Sequence, residues 1–511
     1  MDRGTRSILI VGGGAAGWLT AAYLAKALAL LENLHLTITV LESPDIGIIG
    51  VGEGTFPTIR QTLRFLDIDE RRFIRASSAT FKQGILFTDW LHEPRPGKQH
   101  RFFHPFEAPF YSEETTLVPY WLLQEADKRR SFAEAVTIQD RVAGAKRGPK
   151  RPGEPDFDGP LDYAYHIDAH NLAHLLAERA RELGVIHLSG ELDHAELGSD
   201  GAIESVLLKD GRKLSADLYV DCSGFRAELI GRALKSPWRT VRDRLFADRA
   251  AACRVPYDSP DSPIESYTLA NAHEGGWTWD IGLAGARGIG CVYSSDHVDD
   301  TGALTILRDY IGPSFDESSV RILAFDAGYR ERQWVRNCVS VGLSAGFLEP
   351  LEATGLVLIE AAVGMIAELF PHQGPVDAPA RRFNQLMTAR FENIVKFLKL
   401  HYCLSRRPEP FWRENADPAT IPEELQELLA QWRYRPPGRF DFILDVESFA
   451  FFNYQYILYG MEFQTDLSAG RSDFPNVAAA EKLFDRIRLF GEKAAHDLPS
   501  HRELVRELTA G

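Results

Sequence analysis

SILIVGGGAAGWLTAAYLAKALALLENLHLTITVLE, residues 7–42, joins an apolar run, a glycine turn, an alanine- and leucine-rich stretch and a second apolar run. Residues 7–11 predict a short buried strand, residues 18–31 a helix and residues 36–41 a second strand. The order is strand, helix, strand, and Gly12, Gly14 and Gly17 complete GxGxxG where the first strand gives way to the helix. Glycines there let the backbone, including that of Ala15 and Ala16, approach a pyrophosphate held by the amides of the helix start. Glu42 closes the second strand, where a carboxylate can bind both hydroxyls of an unphosphorylated ribose. The segment therefore predicts a unit for an adenine dinucleotide. The same glycines without strand and helix around them would read as a surface turn.

Two later apolar runs favour FAD over NAD. LYVDCSG, residues 218–224, is a strand ending in Asp-Cys-Ser-Gly, and residues 338–343 run apolar before a turn at Gly342, Ser344 and Gly346. FAD-binding monooxygenase-like folds return such strands to the nucleotide. The expected class is α/β: a Rossmann-like, monooxygenase-type FAD-binding domain interleaved with a substrate-binding part and a helical C-terminal region. The nucleotide domain is then discontinuous, taking residues 1–80, 160–240 and 325–400. Residues 81–159, 241–324 and 401–511 fall on the substrate side. Helical patterns dominate about 352–400, and PGEPDFDGP, residues 152–160, reads as an exposed loop.

Composition narrows the partners. A chain of 511 residues, 45% hydrophobic, can bury a large core. A formal net charge of -15 argues against nucleic acid, whose phosphates need a concentrated basic surface. The five cysteines, Cys222, Cys253, Cys291, Cys338 and Cys403, are dispersed and odd in number, which suits a reducing, cytoplasmic location. The N-terminal apolar stretch runs into glycines and a helix pattern, so it reads as a strand and not a signal peptide. No apolar run approaches the roughly 20 residues that span a bilayer, and no membrane association is expected. No metal site is expected either.

Four motifs and one longer stretch carry a more specific likeness: GGGAAGW at residues 12–18, GVGEGT at 50–55, TFKQGI at 80–85, GFLEPLEATG at 346–355 and NYQYILYGM at 453–461. Together they resemble the flavin-dependent tryptophan halogenases, in order and over most of the chain. That family has a Trp-x-Trp-x-Ile-Pro signature, and the corresponding residues here are Trp277, Thr278, Trp279, Asp280, Ile281 and Gly282. Gly282 stands in place of the proline and is expected to loosen the backbone. Trp277 and Trp279, two apart, share one face of a strand, and with Ile281 they would wall the flavin off from the substrate. Taken alone they read equally well as core.

The resemblance implies a relay in which reduced FAD and O2 oxidise chloride or bromide, and the resulting hypohalous acid travels to an aromatic substrate. It implies FAD contacts at Val51, Gly342 and Leu343 beside those of the glycine turn. Lys82 matches the family's catalytic lysine, which either hydrogen-bonds hypohalous acid or forms a haloamine. Its apolar flanks would desolvate it and lower its pKa. Glu352 matches the carboxylate that stabilises the cationic ring and takes its proton, although Glu349 or Glu352 placed at a helix start would also suit the helix dipole. Thr354 and Gly355 match the halide site, where turn amides hold an anion. Ala353 replaces the serine of many relatives.

His104 and Phe106, in FFHPFE, match residues that stack on the indole, and two residues apart they are expected to share one strand face. Relatives that take free tryptophan carry paired tyrosines, an acidic residue and a Phe-Trp pair near the C-terminus. Here the stretch reads DVESFAFFNYQY, residues 445–456, without them. An indole-type substrate lacking a free amino-acid backbone, or a larger one, is expected. With no second dinucleotide site in the chain, reduced flavin must come from a separate NAD(P)H-dependent flavin reductase. The family also implies a homodimer. Two other readings use the same nucleotide motifs: an FAD-dependent aromatic monooxygenase, and a non-catalytic flavin-binding redox sensor.

Overall fold

The computed structural model describes residues 5–45, 47, 52–112, 115–125 and 127–510. They form two compact units. The first is drawn from Met1–Ser78, Ile167–Val241 and Asp326–Glu392, the second from Ala79–His166, Arg242–Phe325 and Asn393–Gly511.

The first unit is built on a six-stranded sheet in the order Ile186–Ser189, Thr37–Glu42, Ser7–Val11, Leu218–Asp221, Cys338–Ser340, Trp334–Val335. Every neighbouring pair is parallel except the last. Ser7–Val11 is central and lies between strands on both edges, which is why it reads as a continuous apolar run. Leu9, Val11, Leu41 and Tyr219 pack with Ile203, Val206 and Leu208 of a small antiparallel sheet. Ile8 and Ile10 alternate to the opposite face. The helix Ala15–Ala27 packs against Ala169–Glu182 and Thr354–Glu368. It starts earlier than the periodicity suggested, inside the glycine turn, and it ends by Leu28 because Ala29 takes a left-handed φ of 49°.

The second unit holds a seven-stranded sheet ordered Arg321–Ala324, Arg249–Pro256, Ala286–Tyr293, Gly276–Gly282, Thr268–His273, Gly84–Thr88, Arg101–Pro105. All pairs are antiparallel except that between Thr268–His273 and Gly84–Thr88. Gly276–Gly282 is buried at every residue. A shorter ladder pairs Thr80–Lys82 with Ala164–Ile167. The helix Asp377–Cys403 carries the chain from the first unit into the second, where Phe451–Gly460, Val477–Asp497 and His501–Thr509 follow. No helix among the described residues is long and apolar enough to cross a membrane.

Candidate active site

In the first unit the strand Ser7–Val11 ends at Gly12, whose φ of 121° and crowding leave no room for a side chain: a Cβ there would stand 2.2 Å from the Cys222 carbonyl oxygen. A Cβ on Gly17 would stand 1.8 Å from the Gly12 carbonyl oxygen, so this glycine fixes how closely helix and strand approach. Gly14 differs, because nothing lies within 4 Å of its Cβ position. It precedes a helix that no side chain caps, so the amides of the first turn, Ala15 and Ala16 included, are available to a ligand. The Glu42 carboxylate lies over Gly13 and pairs with His187 Nε2 at 2.8 Å. An open glycine, an uncapped helix start and a carboxylate at the second strand end together fit an adenine dinucleotide. His187 was missed in the sequence because it arrives on a strand far along the chain.

The two later strands return to this turn, as read from the sequence. Asp221 is fully buried, and its Oδ2 accepts from Leu229 N and Ile230 N at 2.9 and 2.8 Å while Oδ1 accepts from Ser223 N and Oγ. It is a structural cap. Gly342, with φ 76°, stands where a Cβ would meet Ala16 Cβ at 2.8 Å, and Leu343 follows it in a short helical turn. Val51 lies outside the described residues.

Glu352 and Ala353 both adopt left-handed backbone, φ 63° and 56°. Non-glycine residues pay for that geometry. Its result is that the chain turns sharply and the helix Thr354–Glu368 starts at Ala353 with no side-chain cap. Glu352 therefore lies ahead of the helix and not in its first turn, and the Glu352 and Glu349 side chains are both buried. Thr354 is buried and Gly355 has open space beside it.

The remaining site residues lie in the second unit. Lys82, 1% exposed, ends the strand Thr80–Lys82, and its Nζ lies 5.3 Å from the centre of the Phe106 ring. The strand Arg101–Pro105 carries His104, but Phe106 lies beyond its end, where its N–H reaches Gln139 Oε1 at 2.9 Å. The expected shared strand face of the two is thus not how they are placed. The strand ends at Pro105, although the Phe106 N–H still reaches the Gln83 carbonyl at 3.3 Å. His104 Nε2 donates to Asn453 Oδ1 at 2.9 Å, and its ring packs by Phe397 and Tyr456.

Trp277 and Trp279 share a strand face, with ring centres 6.3 Å apart. Trp277 also packs against Trp90, which contacts Tyr402 and Trp412. Gly290 on the neighbouring strand makes space for Trp279, since a Cβ there would stand 2.1 Å from its ring. Ile281 is buried two residues on. Gly282 is closely surrounded. A Cβ at this position would come within 2.7 Å of Ile264 Cγ2 and 2.8 Å of the Tyr257 hydroxyl, and the Thr80 hydroxyl donates to the Gly282 carbonyl. Packing holds the backbone that the missing proline would have stiffened. An HxxxH pair in the sequence, His170 and His174, brings its Nε2 atoms 3.0 Å apart; no third ligand joins them among the described residues.

Residues 7–473 match the family model for tryptophan halogenase. The chain belongs to the tryptophan halogenase family. It is 33% identical to tryptophan 7-halogenase RebH of Lentzea aerocolonigenes over 98% of each chain. Its fold superposes on the tryptophan halogenase of Shewanella frigidimarina with a TM-score of 0.94, at 37% identity over 100% of this chain and 98% of that one. BrvH, a flavin-dependent halogenase from Brevundimonas sp. BAL3, aligns with a TM-score of 0.88 and 31% identity over 99% of each chain. This halogenase is accordingly a flavin-dependent aromatic halogenase, a mixed α/β protein with a Rossmann-like nucleotide-binding sheet and a helical C-terminal region.

Proposed function

We propose that this halogenase places chlorine or bromine on an indole-type ring that lacks a free amino-acid backbone, with reduced FAD, O2 and halide as co-reactants. The observation that carries the reading is the buried Lys82 Nζ above the Phe106 ring. A cation so placed gains up to about 2 kcal/mol from the ring when desolvated. In its protonated form Nζ donates a hydrogen bond to hypohalous acid; as the neutral amine it would form a haloamine instead.

Gly12, Gly14, Ala15, Ala16, Gly17, Glu42, Gly342 and Leu343 would hold the FAD, with Val51 assigned by motif. Bound FAD supplies the two-electron oxidation by O2 that turns halide into hypohalous acid. The uncapped turn at Thr354 and Gly355 offers amides for the halide. Trp277, Trp279 and Ile281 keep the aromatic substrate from the flavin. His104 and Phe106 bind the ring by its faces, and Asn453 fixes the orientation of His104. Lys82 orients hypohalous acid and gives a proton to the oxygen as the halogen leaves. Glu352 stabilises the cationic ring and takes its proton, a role worth about 10²- to 10⁴-fold.

The first unit is thus read as the FAD domain and the second as the substrate side. A separate NAD(P)H-dependent reductase in the cytoplasm supplies reduced flavin, and the working form is a homodimer. The test is mass spectrometry of indole and tryptophan incubated with the protein, FAD, a flavin reductase, NADH, O2 and chloride or bromide. A halogenated indole lost in Lys82→Ala supports the reading. Turnover of free tryptophan far above that of indole refutes the substrate assignment, and a hydroxylated product refutes the halogenase chemistry.

A further inference from the structure

The ladder between Thr80–Lys82 and Ala164–Ile167 sorts its residues onto two faces. Cross-strand partners share a face, and the register pairs Thr80 with His166, Phe81 with Tyr165 and Lys82 with Ala164. Phe81, Tyr163 and Tyr165 pack together on one side, where His501 Nε2 accepts from Phe81 N at 2.9 Å and its Nδ1 donates to the Ile264 carbonyl at 3.1 Å. Both nitrogens of His501 are in use. The other side carries Thr80, Lys82, Ala164 and His166.

His166 is fully buried, and its Nε2 lies 2.8 Å from Thr268 Oγ1. Its Nδ1 has no hydrogen-bond partner among the described residues. A buried polar atom without a partner costs about 1–3 kcal/mol, so a hydrogen-bond donor reaching this Nδ1 would be stabilised. Lys82 and His166 are diagonal neighbours across this ladder, with backbone positions about 7 Å apart, and Ala164 opposite Lys82 puts only a methyl between them.

We propose that His166 is a second holder of hypohalous acid: its Nδ1 lone pair accepts the acid's O–H while the Lys82 ammonium donates to the same oxygen. This rests on the reading of Lys82 given above. Two fixed points on the oxygen leave the halogen as the only free end of the molecule, so halogen transfer is directed. In the transfer the carbon–halogen bond forms and the halogen–oxygen bond breaks with its electron pair staying on oxygen. The departing hydroxide takes the Lys82 proton to become water, the ring proton goes to Glu352, and its release to solvent with reprotonation of Lys82 closes the net change as ArH + HOX → ArX + H2O. His166 contributes a neutral acceptor throughout. Consistent with that, its pKa is held well below the usual histidine value, first by burial and then by the nearby Lys82 and His501.

Paired substitutions separate this role from packing. Asn places its amide oxygen near the position of Nδ1, whereas Gln reaches toward Thr268 in place of Nε2. His166→Asn is expected to keep most halogenation. His166→Gln should lose it roughly tenfold to hundredfold, with flavin oxidation continuing and free hypohalous acid appearing in a diketone trap. His166→Gln equal to or better than His166→Asn overturns the proposal. If Lys82→Ala also halogenates like the parent protein, the lysine reading falls with it; if Lys82→Ala is dead, only the His166 assignment fails. A readout independent of turnover is the ¹⁵N spectrum of histidine-labelled protein, expected to show neutral His166 protonated at Nε2. Protonation at Nδ1 would leave no acceptor and overturn the proposal.

Discussion

Gly282→Ala tests whether packing at the end of the strand Gly276–Gly282 holds Lys82 in place. The new methyl would stand 2.7 Å from Ile264 Cγ2 and 2.8 Å from the Tyr257 hydroxyl. Ile264 is 1% exposed and has little room to retreat. Overpacking of one methyl in such a setting costs about 1–3 kcal/mol. At roughly 2–4 °C per kcal/mol for a domain of about 150–250 residues, thermal unfolding should fall by roughly 2–12 °C. The effect should reach activity as well. The Gly282 carbonyl accepts from the Thr80 hydroxyl, and Thr80 is two residues from Lys82 on the same strand face. A misplacement of a positioning group by about 1 Å costs about a hundredfold in rate, so a loss of about tenfold is expected for a shift of about half that size. Differential scanning fluorimetry and the indole halogenation rate, measured on the same preparation, check both numbers. A variant with unchanged melting and full activity would show that Gly282 is not pinned and that the argument from packing is wrong.

Other outcomes follow from the same geometry. Glu352→Gln should lower halogenation by about 10²- to 10⁴-fold while FAD titration stays unchanged; retained activity moves the proton acceptor elsewhere. Gly17→Ala should fail to fold or to bind FAD, because its Cβ would overlap the Gly12 carbonyl, whereas Gly14→Ala should fold normally and lose FAD affinity only. Equal behaviour of the two would contradict the assignment of one glycine to packing and the other to ligand. Glu360 accepts from Thr62 Oγ1 and Thr58 Oγ1, and burial raises its pKa to about 7. The folded state then binds this proton more tightly than the unfolded one. The contribution is present in full below the unfolded carboxyl value of about 4.3 and is lost as pH rises toward 7. Glu360→Gln should therefore flatten the fall in stability between those pH values in denaturant titrations; an unchanged slope would refute it.

Legibility in the sequence followed the range over which the physics acts. The strand–turn–helix at residues 7–27 was readable because glycine spacing and apolar periodicity are local, and the runs at 218–224 and 338–343 because buried parallel strands are continuously apolar. Of the seven-stranded sheet only the strands holding Trp277 and His104 were readable, and those through the family motif. Gly276–Gly282 and Ala286–Tyr293 are buried on both faces and rich in glycine, so neither shows the alternation that marks a strand. Glu352 was legible as a motif residue, but its left-handed backbone was not, since nothing about glutamate announces that conformation. Phe106 was placed on a strand that Pro105 terminates. His166 went unnoticed because its significance lies in a register with Thr80–Lys82 and in a nitrogen left over after Thr268 is served.

The central strand Ser7–Val11 takes Thr37–Glu42 on one edge and Leu218–Asp221 on the other. During synthesis its second partner emerges about 200 residues later, and at about 5–20 residues per second that is a wait of roughly 10–40 s. For that interval an apolar strand has an open hydrogen-bonding edge, the feature that templates aggregation. Yield in a heterologous host should therefore depend on translation speed, temperature and chaperone supply between these two points of the message. Synonymous codons that hasten the passage from residue 12 to residue 221 are a lever on soluble yield that leaves the finished protein untouched.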